Sequence, residues 1–422
     1  MLSPLKGHIL GILLMALTIP IRPCNAEEPA VVLKQWNDAF LDAIRVDSSP
    51  PGVASRKMAI LHLAMFEAAN SIQPKYHSYL SSGAPKPQSG LNAEQVAISA
   101  ALQVGRIEFP AFSGKFRMLR DRFLKADGDY DAASEEHGIA VADHIINLRG
   151  NDGSSRSITY IPKNEVGIWK RTPPKFRPPE TPQWMHVKPF CTSDTTEYSY
   201  PSPPSITSEA YAEAWKQVKE LGGKDSTIRT EDQTEIAHFW SCFTYTATPA
   251  GHWNEIACNL LVDRKESWID SLHLLALMNL ALADAGVAAW KVKYEKHFWR
   301  PIYAIRQADQ DGNSATVSEP SWDSLLEAPP HPEFVSGHST YTGAGAEVIR
   351  RWLGTDRVSF STTSDSLPGV FRSFESISEC EHEIGMSRIY GGIHFLFSNL
   401  DGLELGHQVG RNVFENYLQT LE

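Results

Sequence analysis

With 422 residues and a 42% hydrophobic content, the chain can bury a sizeable core as one large or two ordinary domains. Its formal net charge of −11 argues against DNA, RNA or an anionic lipid surface as the principal partner. In so acidic a chain, a local cluster of Lys and Arg is correspondingly informative.

Residues 1–26 differ in kind from the rest. Lys6 opens a positive end, Ile9 to Ile21 is a short apolar run broken by Pro20, and Cys24-Asn25-Ala26 offers small residues at a cleavage point. The pattern predicts a secretory signal peptide and an exported protein, periplasmic or secreted. The apolar run is shorter than the roughly 20 residues a spanning helix needs, so no stable membrane span is expected after cleavage. Cleavage removes Lys6 and Arg22 and no acid, leaving the mature chain at −13. The remainder, 27–422, reads as a single helical unit, with N-terminal helices and a Pro-rich loop over 27–206 and C-terminal helices with the candidate site over 207–422. Cys191, Cys242, Cys258 and Cys380 remain in a compartment that permits disulfides, in any of three pairings or as free buried thiols.

Apolar residues spaced at three and four predict helices near 31–44, 58–72, 94–107 and 132–148. From Gly150 to about Ser205 the composition turns to Pro, Ser, Thr and aromatic residues. That predicts a long irregular excursion, either lining a site or wrapping the surface and pinned by Trp169, Trp184 and Phe190. Helices resume at 208–221, 231–243 and 252–261. Trp268 to Tyr294 is apolar on most faces, with Asp284 its only charge between Asp270 and Lys291, and should be the buried helix. Residues 306–333 read as a loop, 338–353 as a helix, and 379–388 and 395–418 as a last pair separated by Gly391-Gly392. Nothing alternates in twos for long enough to demand a sheet, so the fold class is all-α, a bundle of helices.

Three short clusters carry the chemistry. Lys293 is followed after six residues by Arg300-Pro301; Val335-Ser336-Gly337-His338 opens a helix; and Ser387-Arg388 is followed after five residues by His394. Arg300 and Arg388 offer planar forks suited to paired oxygens, Lys293 a point charge, and Ser336 and the Gly337 N–H neutral donors. A helix starting at Gly337 would aim further N–H groups at the same place. Together these suit a tetrahedral oxyanion, which must exchange its hydration for several donors at once. His252, His273, His297 and His382 lack such a setting and read as hydrogen-bonded core or surface histidines.

In this order and spacing the clusters resemble the vanadium-dependent haloperoxidases and their relatives, the type-2 phosphatidic acid phosphatases and bacterial acid phosphatases. Upstream text is similar to the bacterial haloperoxidase branch: Gly167-Ile168-Trp169, Thr172-Pro173-Pro174, Trp184 to Phe190, Trp253-Asn254 and Asp284-Ala285. The resemblance implies two four-helix bundles with the site at one end. It implies vanadate held by Lys293, Arg300, Ser336, Gly337, Arg388 and His394, with His394 as the metal ligand, or phosphate in the same place in a phosphatase. It further implies His338 exchanging a proton on the opposite side, Lys293 polarising activated hydrogen peroxide, and halide and a small organic acceptor as the other substrates. Two residues depart from the pattern. Val335 stands for a proline and should loosen the turn before Ser336. Ser398 stands for the aspartate that in the phosphatases orients the second histidine, and Asp401, about two turns along at roughly 10 Å, is no easy substitute. His331, five residues before Ser336, tilts the halide toward bromide, by similarity to bromide-preferring members. The expected function is an exported vanadate-dependent haloperoxidase; the alternatives are a phosphatase with His394 as nucleophile and a non-catalytic oxyanion binder. The oligomeric state is left open, a homo-oligomer included.

Overall fold

The computed structural model describes residues 28–81, 83–126, 130–192, 198–243 and 245–421. The leader reading of 1–26 lies outside the described residues. Thirteen α-helices and one short hairpin make up the described chain: α1 (Pro29–Asp47), α2 (Pro51–Ile72), α3 (Ala93–Glu108), α4 (Ser113–Ala126), α5 (Ala132–Arg149), α6 (Glu209–Gly222), α7 (Glu231–Phe239), α8 (Thr248–Arg264), α9 (Trp268–Lys296), α10 (Pro301–Arg306), α11 (Gly337–Leu353), β1 (Phe360–Thr363), β2 (Phe371–Phe374), α12 (Ile377–Tyr390) and α13 (Leu396–Asn416). The all-α expectation holds, the hairpin being two antiparallel strands of four residues each.

Helix α9 is the axle. It is buried almost from end to end, and it packs against α2 on one side and against α11 and α13 on the other. It is long and apolar enough to cross a membrane, yet its most apolar stretch is buried inside the protein, as a core helix requires. Around α2 gather α3 and α5; around α11 gather α13 and α12. The second packing is very close, because a Cβ on Gly343, Gly402 or Gly406 would run into the backbone of the facing helix at 2.2 to 2.8 Å. One continuous apolar core joins both groups.

Starts and stops follow local chemistry. Proline in the first turn opens α1, α2, α8 and α10, and side-chain caps from Asn92, Asp131, Ser208, Thr230, Ser267, Ser336 and Ser376 open most of the others. Several boundaries differ from expectation. Helix α2 begins at Pro51, ahead of the predicted 58, and α8 at Thr248, ahead of 252, because proline fixes the first turn without an apolar pattern to announce it. Helix α7 ends at Phe239, short of 243, where Cys242 takes a left-handed conformation (φ 46°). Helix α4, which is highly charged, was not expected at all.

The long excursion over 150–205 is both a wrap and a lining. Trp169, Trp184 and Phe190 are buried, and Asp284 of α9 fixes the loop by accepting the Phe190 and Cys191 N–H groups at 2.6 and 2.8 Å. Gly52 leaves the space Trp184 fills, since a Cβ there would lie 2.5 Å from its indole nitrogen. Arg177 and Glu180 of the same loop reach the wall of a cavity that Trp290 and His338 also line. Cys191, Cys242, Cys258 and Cys380 are all free thiols, so none of the three possible pairings forms.

Candidate active site

Five helix ends meet at one end of α9. Lys293 stands in its last turn, Arg300 at the N-cap of α10, Ser336 and Gly337 at the start of α11, Arg388 in the last turn of α12, and His394 two residues before α13. Lys293, Arg300, Ser336 and Arg388 are fully buried, and His394 is 2% exposed. The structure thus brings every predicted site residue to one place. Gly337, His338, Arg388 and His394 line a cavity that opens to solvent.

The contacts fix the chemical state of each group. His394 Nδ1 donates to Glu333 Oε1 at 2.7 Å, and its Nε2 accepts from Arg300 Nη1 at 3.1 Å. This is the neutral tautomer with its lone pair on Nε2. Burial, with Arg300, Lys293 and Arg388 nearby, holds its pKa well below the usual histidine range. His338 has a backbone hydrogen bond with Trp240, while its Nε2 is buried without a partner. Arg388 donates from Nη1 to the same Trp240 carbonyl at 2.6 Å, and its Nε and Nη2, like His338 Nε2, are buried with no partner among the described residues. Ser336 Oγ accepts from Ser339, which leaves its own proton free to donate. A Cβ on Gly337 would meet Trp290 and Lys293 only at 3.5 and 3.6 Å, so the protein leaves that approach open.

Lys293 departs from expectation. Its ammonium donates to the carbonyls of Pro332 and Glu333 at 3.0 Å each, and also to that of Val335. All three protons are spent on the loop that carries Ser336, so at least one bond must yield before Lys293 reaches an anion. Val335 does not loosen the turn as expected, because it is fully buried and its carbonyl is held by this lysine.

Glu333 was missed. The sequence marks Ser398 as a lost carboxylate behind His394, but Glu333 supplies one from a different element. Ser398 Oγ lies only at 3.4 Å from Nδ1, while its carbonyl accepts the Ser336 N–H at 3.0 Å and so anchors the start of α11. Glu333 is fully buried and also accepts the Phe395 N–H at 3.0 Å; burial raises its pKa to about 7 against the opposing pull of Arg300 and Lys293. No local period could reveal a pair 61 residues apart; the one signal was an acidic residue three positions before Ser336. His331 lies with its ring 5.0 Å from that of Trp290, and its Nδ1 accepts from Arg300 Nη2 at 3.0 Å.

Three buried cations therefore surround one buried carboxylate, and the two unpartnered donors of Arg388 sit beside the unpartnered His338 Nε2. Burying charge without a counter-ion costs several kcal/mol per ion, so the arrangement calls for an anion with several acceptor oxygens. Vanadate and phosphate both fit that donor set.

Residues 273–422 match the family model for the second helical-bundle domain of VCPO. Over 478 aligned positions the chain is 24% identical to the vanadium chloroperoxidase of Curvularia inaequalis, spanning 86% of this chain and 78% of that protein. The crystal structure of a bacterial vanadium-dependent iodoperoxidase superposes with a TM-score of 0.82 and 27% identity, covering 93% of this chain and 97% of that one. A bacterial vanadium-dependent chloroperoxidase shares the fold at a TM-score of 0.70 and 18% identity, over 86% and 92% of the two chains.

Proposed function

We propose that this chain, which belongs to the vanadium haloperoxidase family, binds vanadate in its cation cage and oxidises a halide with hydrogen peroxide. The observation that carries the reading is the undercompensated charge: Lys293, Arg300 and Arg388 are fully buried around Glu333, and among the described residues Arg388 Nε and Nη2 have no partner. When bound, vanadate supplies a Lewis-acidic centre that activates peroxide toward halide without a change of valence. The chain's own part is to hold and orient. Arg388 and Arg300 neutralise oxyanion charge, and Ser336 Oγ and the Gly337 N–H add neutral donors at the start of α11. His394 presents the Nε2 lone pair as ligand because Glu333 keeps the proton on Nδ1. His338, fixed by the Trp240 backbone, exchanges a proton at Nε2. Lys293 clamps the 332–335 turn and, by releasing one carbonyl, turns a proton toward peroxide.

The halide favoured is bromide, on the strength of His331 at the cavity wall; chloride, bromide and iodide offered in competition test it. Export rests on the charged-then-apolar leader over 1–26, and N-terminal sequencing of the secreted chain tests it. A second reading gains from Glu333. A carboxylate behind His394 Nδ1 is what a nucleophilic histidine needs, so the same cage suits phosphoryl transfer to Nε2. The experiment runs both reactions on anion-free protein, with bromide, peroxide and a diketone on one side and an aryl phosphate on the other. Orthovanadate switches on halogenation in the haloperoxidase reading; if it only inhibits hydrolysis, the phosphatase reading stands. His394→Ala abolishes whichever activity exists.

A further inference from the structure

We propose that Glu383 is a positioning residue for halide oxidation: through the Trp240 indole it sets the Trp240 carbonyl, from which both Arg388 and His338 hang. The inference rests on the haloperoxidase reading and adds to it a residue outside both the cage and the cavity.

One oxygen fixes two working groups. Arg388 Nη1 donates to the Trp240 carbonyl at 2.6 Å. His338 bonds to the backbone of the same residue, and because the Trp240 N–H is spent on the Ile236 carbonyl at 3.2 Å, the imidazole is the donor. Its Nε2 has no partner among the described residues, so the proton given to Trp240 is on Nδ1 and the lone pair is on Nε2. A carbonyl oxygen has two lone pairs, and here both are taken. A shift of Trp240 therefore disturbs two things at once: the tautomer of His338, and the plane of the Arg388 guanidinium, whose Nε and Nη2 are the donors left for an anion.

Helix α12 holds Trp240 in place. The indole Nε1 donates to Glu383 Oε1 at 2.8 Å, and Glu383 stands five residues before Arg388 on that helix, roughly 7.5 Å along its axis. One helix thus grips the same tryptophan twice, by its ring and by its carbonyl. His252 and Phe374 pack the indole, with ring centroids 4.5 and 6.3 Å away. Packing of this kind is not directional, whereas the Nε1 hydrogen bond is, and it settles how the ring is turned.

Glu383 is itself immobilised. Arg372 of β2 donates to it twice, from Nε to Oε1 at 2.6 Å and from Nη2 to Oε2 at 2.8 Å, while Arg372 Nη1 reaches Asp232 and Glu235 of α7 at 3.0 and 2.9 Å. The two side chains are only 15% and 14% exposed, and a bidentate charged pair so placed keeps its geometry. Glu383 lines no wall of the cavity, so it acts on the reaction through Trp240.

The first readout needs no turnover. In vanadate-free full chain carrying nitrogen-labelled histidine, the His338 signals, assigned by their loss in His338→Gln, should show the Nδ1–H tautomer. In Glu383→Ala, and in Trp240→Phe, which keeps the carbonyl but not the indole donor, both ring nitrogens should move toward averaged values. Orthovanadate affinity, measured by calorimetry, should fall about 10-fold in each variant, the low end for loss of an outer partner of a bound group. The double variant should lose no more, because both substitutions break one bond. Glu383→Gln, which keeps an oxygen for the indole, should hold most of the affinity. At saturating vanadate, kcat for bromide oxidation should fall several-fold in Glu383→Ala with KM for bromide unchanged. A purely structural Glu383 would lower the urea midpoint and leave tautomer, affinity and kcat as in the wild type; that result, or losses that add in the double variant, overturns the inference. Should the wild type oxidise no bromide, the haloperoxidase reading fails by itself, and the tautomer and the affinity still decide the role of Glu383.

Discussion

Two regions of this protein bury an arginine, and they treat it in opposite ways. Arg149, at the end of α5, is 4% exposed and fully spent: Nε donates to Asp152 at 3.2 Å, Nη1 to the Pro189 carbonyl at 3.0 Å and Nη2 to that of Lys188, and its plane lies 3.9 Å from the Phe190 ring centroid. Arg388 is fully buried, has no carboxylate, and uses only Nη1. One guanidinium is mortar for a loop; the other is a cost the fold carries until an anion arrives. Burial alone does not distinguish structure from function here, whereas the unmet hydrogen bonds do.

The sharpest way to break the contrast is to truncate each. Arg149→Ala should destabilise the anion-free chain by about 3 to 5 kcal/mol in urea unfolding, since it leaves loop carbonyls and Asp152 poorly paired. Arg388→Ala should leave anion-free stability as high as wild type or higher, yet weaken vanadate binding by about 100-fold or more in a vanadate titration. Equal losses of stability in the two variants would dissolve the distinction.

Acid tests the satisfied side next. His252 is buried under Trp240, ring centroids 4.5 Å apart, with Nε2 at 2.9 Å from Thr362 Oγ1. Burial lowers its pKa from 6.5 to about 4. Below pH 6.5 the unfolded chain takes a proton that the folded chain refuses. Its contribution is therefore complete above pH 6.5 and is lost as pH falls toward 4, on the order of 3 kcal/mol in all. His252→Gln should flatten that part of the stability-versus-pH curve measured by urea unfolding.

On the unsatisfied side, orthovanadate at 100 times its wild-type dissociation constant should stabilise the wild type by about 2.7 kcal/mol, seen as a rise in the thermal midpoint, and Arg388→Ala by no more than about 0.4 kcal/mol. A smaller effect probes Glu333. Glu333→Ala should cost about 10- to 100-fold in activity, and Ser398→Asp in the same chain should return part of it by restoring a carboxylate from the other side of His394.

The sequence made some of this legible and hid the rest for physical reasons. Helix α9 was plain because burial on every face leaves no polar stripe. The cage residues were legible because helix ends fix their spacings within each cluster. Glu333 was not, since its partner is set by how the 332–335 turn folds back on α13, and no period connects the two. The β1–β2 hairpin, with four residues to a strand, is too short to show an alternation.

The most direct test of the account is a titration of anion-free protein with orthovanadate, following bromide oxidation by hydrogen peroxide. The cage predicts activity that rises from nothing and saturates at one vanadate per chain, and that is absent in His394→Ala and Arg388→Ala. Activity independent of vanadate, or none at saturating vanadate with bound anion demonstrated, would contradict it.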